Sequence, residues 1–215
     1  MHVRRVVNAD RSVELNAIFF DAKKCRLAVI DDPHGDSDLA SAMQKQNALA
    51  GVNGGYFHPD RTPLGLLVSD GKTLHPLERA KLLSGLLIVT NHRAGLYRAN
   101  EINPDASIRE AIQAGPFLVD RAQPVPGLNA TRAARRTVIL ADANGVRALL
   151  VTGPMTLAEA AEMLSTPRLI ADWKIQRALN LDGGSSTALW VHRTTGAFYL
   201  PELKSVRDYL AVVPR

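Results

Sequence analysis

The chain is poor in aromatic residues and nearly without sulfur chemistry. Phe, Trp and Tyr make up 5% of its 215 residues, too few for the stacking platform that single-stranded nucleic acid needs. A formal net charge of +5 favours anionic partners. The basic residues are scattered, however, apart from the run RAARR at 132–136, so nucleic acid is not expected among those partners. A single cysteine, Cys25, excludes an internal disulfide and fits no metal-ligand spacing. It reads as a small core residue of a strand, CRLAVI. No apolar run reaches the roughly 18 residues of a membrane-crossing helix, so no membrane span is expected. The opening MHVRRVVNADRSVELNAIFF is basic but lacks the apolar stretch of an export signal. A cytoplasmic protein is expected if this is the complete product, and a periplasmic or secreted one if a signal has been removed.

Familiar catalytic and nucleotide signatures are missing too. GKT at 71–73 lacks the earlier glycine of a phosphate loop, because Leu66 stands there. GGSST ends in Thr187 where a nucleophile elbow needs glycine. There is no His-Glu-x-x-His, no glycine-rich dinucleotide fingerprint, no internal repeat and no convincing linker. One domain spanning 1–215 is the simplest organisation.

What is present is mostly β pattern. SVELNAIFFD alternates Val13, Leu15, Ala17 and Phe19, and RLAVID reads as its hairpin partner. SDLASAMQKQNA spaces Leu39, Ala42, Met43 and Gln46 as a short amphipathic helix. LGLLVSDGKTL carries an Asp70-Gly71 hairpin signal, and RTVILADANGVRALLVT turns at Asn144-Gly145. SGLLIVT, AGLYRA, PFLVD and DYLAVVP are further strands. SIREAIQAG reads as a helix with a Ser107–Glu110 capping box and a stop at Gly115. TLAEAAEMLST is the clearest helix, with Thr156 and Glu159 as its box. The segment DRAQPVPGLNATRAARR is long and irregular, either a functional loop or a plain exposed one. Together these predict an α+β fold: a mixed, mainly antiparallel sheet with two or three packed helices.

Two strand ends carry more chemistry than a turn requires. In GVNGGYF the strand stops at Asn53 before Gly54 and Gly55, and in ALNLDGGSSTALWV it stops at Asp182 before Gly183 and Gly184. Glycine permits positive φ or close backbone approach. If the two strands lie side by side, their ends face one pocket; otherwise each is a common glycine turn whose neighbours pack into the core.

The blocks AGVNGGYF, TPLGLLVSDGK, QAGPFLVD, ARRTVIL and ALNLDGGSSTALWV occur in that order, followed by VRDYLAVVPR. In this set the chain resembles the phosphodiester glycosidase family, in particular its bacterial branch, first described as a domain of unknown function. The resemblance implies hydrolysis of the anomeric C–O bond of a sugar-1-phosphodiester, in a cell-envelope glycan or exopolysaccharide. Two other readings are a phosphodiesterase that cuts the P–O bond and a non-catalytic binder of anionic glycan. A glycosidase with an alcohol leaving group needs an acid and a second carboxylate, and acid help contributes about 10²–10⁴ in rate. Phosphate leaves as a stable anion, so one carboxylate and a phosphate clamp can suffice.

On that reading Asp182 is the functional carboxylate: base toward water, nucleophile, or stabiliser of the oxocarbenium-like charge. Its other reading is a turn cap. Asn180 and Asn53 would hold sugar hydroxyls, or else bond the backbone at the strand ends. Gly54, Gly55, Gly183 and Gly184 would bring backbone N–H groups to an oxyanion. Ser185, Ser186 and Thr187 would bind phosphate or cap a turn. Arg135 and Arg136 would clamp phosphate, or else carry exposed loop charge; Arg207 is a further clamp candidate. Tyr56 and Gln113 would wall the pocket, and His58 would titrate there or lie on the surface. No cofactor is implied with certainty; a divalent cation would find oxygen ligands in Asp182, Asn180 and backbone carbonyls.

Overall fold

A computed structural model of the chain describes residues 2–5, 14–105 and 107–215. Val13, expected to open the first strand, lies outside them. The described residues form three sheets in which every named strand pair is antiparallel, so the sheet is neither mixed nor single. The first sheet runs, edge to edge, His2–Arg5, Leu15–Phe19, Gly145–Met155, Ala134–Asp142, Arg177–Asn180, Phe117–Asp120 and Gln123–Pro124. The second runs Phe198–Leu200, Leu189–Val191, Ala50–Asn53, Asp208–Pro214 and Cys25–Asp31. The third runs Lys72–His75, Leu67–Ser69, Ile108–Ala114, Gly85–Thr90 and Ala94–Arg98.

Side-chain alternation decides how these sheets pack. Ile139 and Leu179 of the first sheet, Val52 and Leu210 of the second, and Leu87 and Ile112 of the third share one central core. Their neighbours along each strand point the other way. Val138, Leu140 and Ala178 pack under helix Leu157–Ser165 through Ala160, Ala161 and Leu164. Tyr209, Ala211 and Trp190 pack under helix Leu39–Lys45 through Leu39 and Met43. Strands buried on both faces need no polar alternation, which is why LLIV, VILA and LAVV read as unbroken apolar runs. The helix from Leu157 keeps its capping box, Thr156 with Glu159, and Asp38 caps the helix from Leu39. At the Asp70-Gly71 turn both residues take positive φ, 47° and 76°, as a tight hairpin requires.

Two expected elements are overturned. Residues 107–115 are not a helix: Ile108–Ala114 is the central strand of the third sheet. Ser107 bonds Asp105 instead of capping anything. Glu110 reaches out of its own segment, and its Oε2 accepts the N–H groups of Val29 and Asp70, each at 3.1 Å. These ties are long-range, and a local capping pattern cannot anticipate them. Leu15–Phe19 and Cys25–Asp31 are not a hairpin either. The first pairs with Gly145–Met155 and the second with Asp208–Pro214, in different sheets. Cys25–Asp31 is an edge strand, and Glu110 and Ser69 occupy the N–H and C=O of its Val29. That blunts the edge and fastens the third sheet to the second. No helix among the described residues is long and apolar enough to cross a membrane. The irregular 120–136 segment returns to the fold through Asn129, whose carbonyl accepts the Ala158 N–H.

Candidate functional site

The two glycine-rich strand ends meet, but not as neighbours in one sheet. Ala50–Asn53 belongs to the second sheet and Arg177–Asn180 to the first, and their ends abut across the gap between sheets. Asn53 is the fastener. Its Nδ2 donates to the Asp182 carbonyl at 2.8 Å, while its Oδ1 accepts the Thr137 hydroxyl at 2.6 Å and the Ala188 N–H at 3.2 Å. The Asp182 N–H in turn donates to the Gly54 carbonyl at 3.2 Å. Buried and fully bonded, Asn53 joins three segments and has no free atom for a sugar hydroxyl.

Asn180 is also buried, but incompletely satisfied. Its Nδ2 faces the Tyr56 hydroxyl at 2.9 Å and the carbonyls of Gly115 and Leu181. Its Oδ1 has no partner among the described residues. A buried acceptor left empty is costly, and here it sits one residue from the Asp182 turn. The Tyr56 hydroxyl donates to the Gly115 carbonyl at 2.7 Å. Burial and the neighbouring Asp182 charge push that phenol above its ordinary range, while Arg136 pulls it down. Tyr56 therefore lies within electrostatic reach of both.

Asp182 itself remains partly exposed. Burial raises its proton affinity, and bonds from the Ser186 hydroxyl and the Gly183 N–H oppose that rise. The Gly183 bond to Oδ1 measures 2.8 Å. The carboxyl thus caps its own turn while keeping a face toward solvent.

The glycines do less for an oxyanion than expected. The Gly54 and Gly55 N–H groups donate to Asp208, the first to its carbonyl at 2.9 Å and the second to its Oδ1 at 3.0 Å. A Cβ at position 54 would lie 1.8 Å from Asp208 Oδ1, so glycine is required for this approach. Gly183 is held by Asp182, and a Cβ there would lie 2.7 Å from the Arg135 carbonyl. Only Gly184, at φ +64° with nothing within 4 Å of its Cβ position, faces open space.

Asp208, which no local motif beside Arg207 reveals, is therefore part of the tips. It is buried, and its Oδ2 has no partner among the described residues. Desolvation raises its carboxyl to about 6 against bonding from Gly55 and attraction from Arg207, with Asp31 and Asp182 adding repulsion. An acid heading a strand whose next five residues are all buried was the available signal.

The cationic candidates divide. Arg136 is half-buried, and its Nε and an Nη donate to the carbonyls of Met155 and Arg132, at 3.0 and 2.8 Å. Arg135 is held by the carbonyls of Thr187 and Pro201. Neither has a carboxylate partner among the described residues, and the backbone at 135–136 packs against Gly183. Arg207 is not a free clamp, since its guanidinium pairs with Asp31. Gln113 is a fastener instead of a pocket wall: its Oε1 accepts from Leu66 and Glu78, and its Nε2 donates to Glu78 and Leu83. Ser186 is buried against Asp182, and the Thr187 hydroxyl is buried without a partner among the described residues. Ser185 stays partly exposed, and its carbonyl accepts the Leu203 N–H. His58 is exposed. A depression of about 570 Å³ between Glu78 and Asn103 is lined by none of the candidate site residues.

Among the described residues, no group of three or more His, Cys, Asp or Glu side chains is placed to hold a metal. Asn180 Oδ1, Thr187 Oγ1 and Asp208 Oδ2 are buried without partners among the described residues, which leaves the partly exposed Asp182 carboxyl to meet a cation or a donor hydroxyl.

A family model described as phosphodiester glycosidase matches residues 46–213. The catalytic domain of zebrafish N-acetylglucosamine-1-phosphodiester alpha-N-acetylglucosaminidase, auto-inhibited by its pro-peptide, superposes with a TM-score of 0.70 at 15% identity. That match covers 100% of this chain and 82% of the other. A hypothetical protein from Synechocystis superposes with a TM-score of 0.65 at 16% identity, covering 99% of this chain and 61% of that one. At these identities the likeness is one of fold. A search of curated proteins finds no match.

Proposed function

The chain belongs to the phosphodiester glycosidase family, and we propose that it hydrolyses the glycosidic C–O bond of a sugar-1-phosphodiester. The substrate on this reading is a cell-envelope glycan or exopolysaccharide, met outside the cytoplasm. One observation carries it: a partly exposed carboxyl, Asp182, lies at the junction of two strand tips, the backbone of Arg135 and Arg136 packs against the Gly183 that follows it, and neither arginine has a carboxylate partner among the described residues.

The chemistry follows from those groups. Partial burial makes Asp182 a stronger base than an exposed aspartate, suited to taking a proton from water or to stabilising positive charge at the anomeric carbon. The leaving phosphate is an anion from the start and needs countercharge more than a proton. Arg135 and Arg136 supply it, and a guanidinium matches phosphate geometry. Asn180 is buried with its Nδ2 on the Tyr56 hydroxyl, and so holds that phenol at the tips.

The test is a panel of sugar-1-phosphodiesters, beginning with N-acetylglucosamine-1-phosphodiesters, read by release of reducing sugar. Turnover by the wild type that is lost in a folded Asp182→Asn variant is the expected result. A folded protein that binds anionic glycan but releases no sugar from any member would establish the binder instead.

A further inference from the structure

Asp208 has no part in that mechanism, yet its surroundings are unlike those of an ordinary structural acid. Its carbonyl and Oδ1 hold the successive N–H groups of Gly54 and Gly55, and the Gly54 carbonyl takes the Asp182 N–H. One peptide group, Gly54–Gly55, therefore links the Asp208 side chain to the Asp182 backbone. Its Oδ2 is buried and empty among the described residues. A buried carboxylate with one donor leaves most of its lone pairs without compensation, which favours the protonated acid.

The charges that face it point the same way. Asp182 approaches from the turn after Arg177–Asn180, and Asp31 lies opposite it on Cys25–Asp31. Arg207, its chain neighbour, already pairs with Asp31. The Asn53 tip presents the Gly55 N–H, and Ile112 of the third sheet packs against that same glycine.

We propose that Asp208 is a positioning residue for Asp182 that works in its uncharged form. Uncharged, it keeps the Gly54–Gly55 peptide turned toward the Asp182 N–H and leaves Asp182 the sole negative charge at the tips. Ionised, it places a second negative charge beside a site that must admit an anionic phosphodiester. The role rests on the sugar-1-phosphodiester reading. Burial pushes its carboxyl up to about 6, which puts the exchange between the two forms within an accessible pH range.

The experiment pairs kinetics with a readout that needs no substrate. Carboxyl carbons of Asp182 and Asp208 are followed by NMR from pH 4 to 8 in the wild type and in Asp208→Asn, which keeps an oxygen for Gly55. The wild type should show Asp208 titrating near 6 and a second inflection in the Asp182 signal, absent from the variant. On an active substrate, wild-type kcat/KM should fall about tenfold per pH unit above that inflection. Asp208→Asn should hold the acid-side rate within a few-fold and lose the alkaline fall. Asp208→Ala, which frees the Gly55 N–H, should lose kcat at every pH with KM little changed. A wild-type Asp208 that titrates below 5, or an Asp182 titration that ignores the substitution, overturns the proposal. So does an alkaline limb that survives in Asp208→Asn. If the variant does not fold, the wild-type titration decides alone. If no sugar phosphodiester is turned over while the two titrations remain coupled, the substrate reading fails and the coupling of the two acids stands.

Discussion

Glu110 and Asp208 are both buried acids that hold backbone N–H groups from other segments, and they do it differently. Glu110 Oε2 takes two donors, from Val29 and Asp70, and closes the seam between the second and third sheets. Asp208 takes one donor on its side chain and leaves Oδ2 empty among the described residues. Burial raises both carboxyls. Each acid has an arginine and a carboxylate nearby, Arg26 and Asp70 for Glu110, and Arg207 with Asp31 and Asp182 for Asp208, so the difference lies in the bonds each accepts. The seam is an arrangement for holding sheets together. The tips hold charge and empty acceptors in a place that bulk packing would not select, and local inconsistency of this kind marks functional sites more often than cores.

Substitutions should separate the two regions. The largest effect belongs to Asp182→Asn, which should lower kcat by about 10²–10⁴, with an unfolding midpoint close to wild type because the side chain is partly exposed. A large loss of stability with no selective loss of rate would move Asp182 to the structural side of the comparison. Asn53→Ala should do the reverse first, costing about 3 kcal/mol in urea unfolding, because it strands the Thr137 hydroxyl, the Ala188 N–H and the Asp182 carbonyl.

The pH dependence of stability sharpens the contrast further. Asp208 is raised in the fold from an ordinary 3.8 to about 6, so the native state binds the proton more tightly than the unfolded chain. Stability from this group is complete below about pH 4 and is lost as pH rises through about 6, amounting to about 3 kcal/mol at 1.36 per unit. The wild-type minus Asp208→Asn difference in urea midpoint should follow that course between pH 4 and 8, and a flat difference would contradict it. Arg136→Ala should raise KM for a sugar-1-phosphodiester about tenfold, as expected for one charge-assisted bond, with kcat less affected. Smallest of all, Glu110→Gln should cost about 1 kcal/mol and leave KM and kcat unchanged; a rate effect there would join the seam to the site.

Features written in neighbouring residues were legible in advance. The Thr156–Glu159 box and the Asp70-Gly71 turn depend on local chemistry, and both are present as read. The Asn53 and Asp182 ends stood out because an Asx-Gly-Gly run after an apolar strand is more than a turn needs. Features that depend on distant partners were not legible. The Ser107–Glu110 spacing mimics a helix cap, but Glu110 bonds Val29, 81 positions away. Cys25–Asp31 passes over the strand before it to pair with Asp208–Pro214 at the other end of the chain. The two glycines after Asn53 suggest room for a ligand, whereas the group that approaches Gly54 and Gly55 is Asp208. Gln113 and Arg207 looked like pocket residues until their partners, the Leu66–Leu83 segment and Asp31, were in view.

Hydrolysis of a sugar-1-phosphodiester in ¹⁸O-labelled water reads directly which bond breaks beside Asp182. C–O cleavage predicts the label in the released sugar and none in the phosphate ester. Label in the phosphate would mean attack at phosphorus, and Asp182 would then belong to a phosphodiesterase.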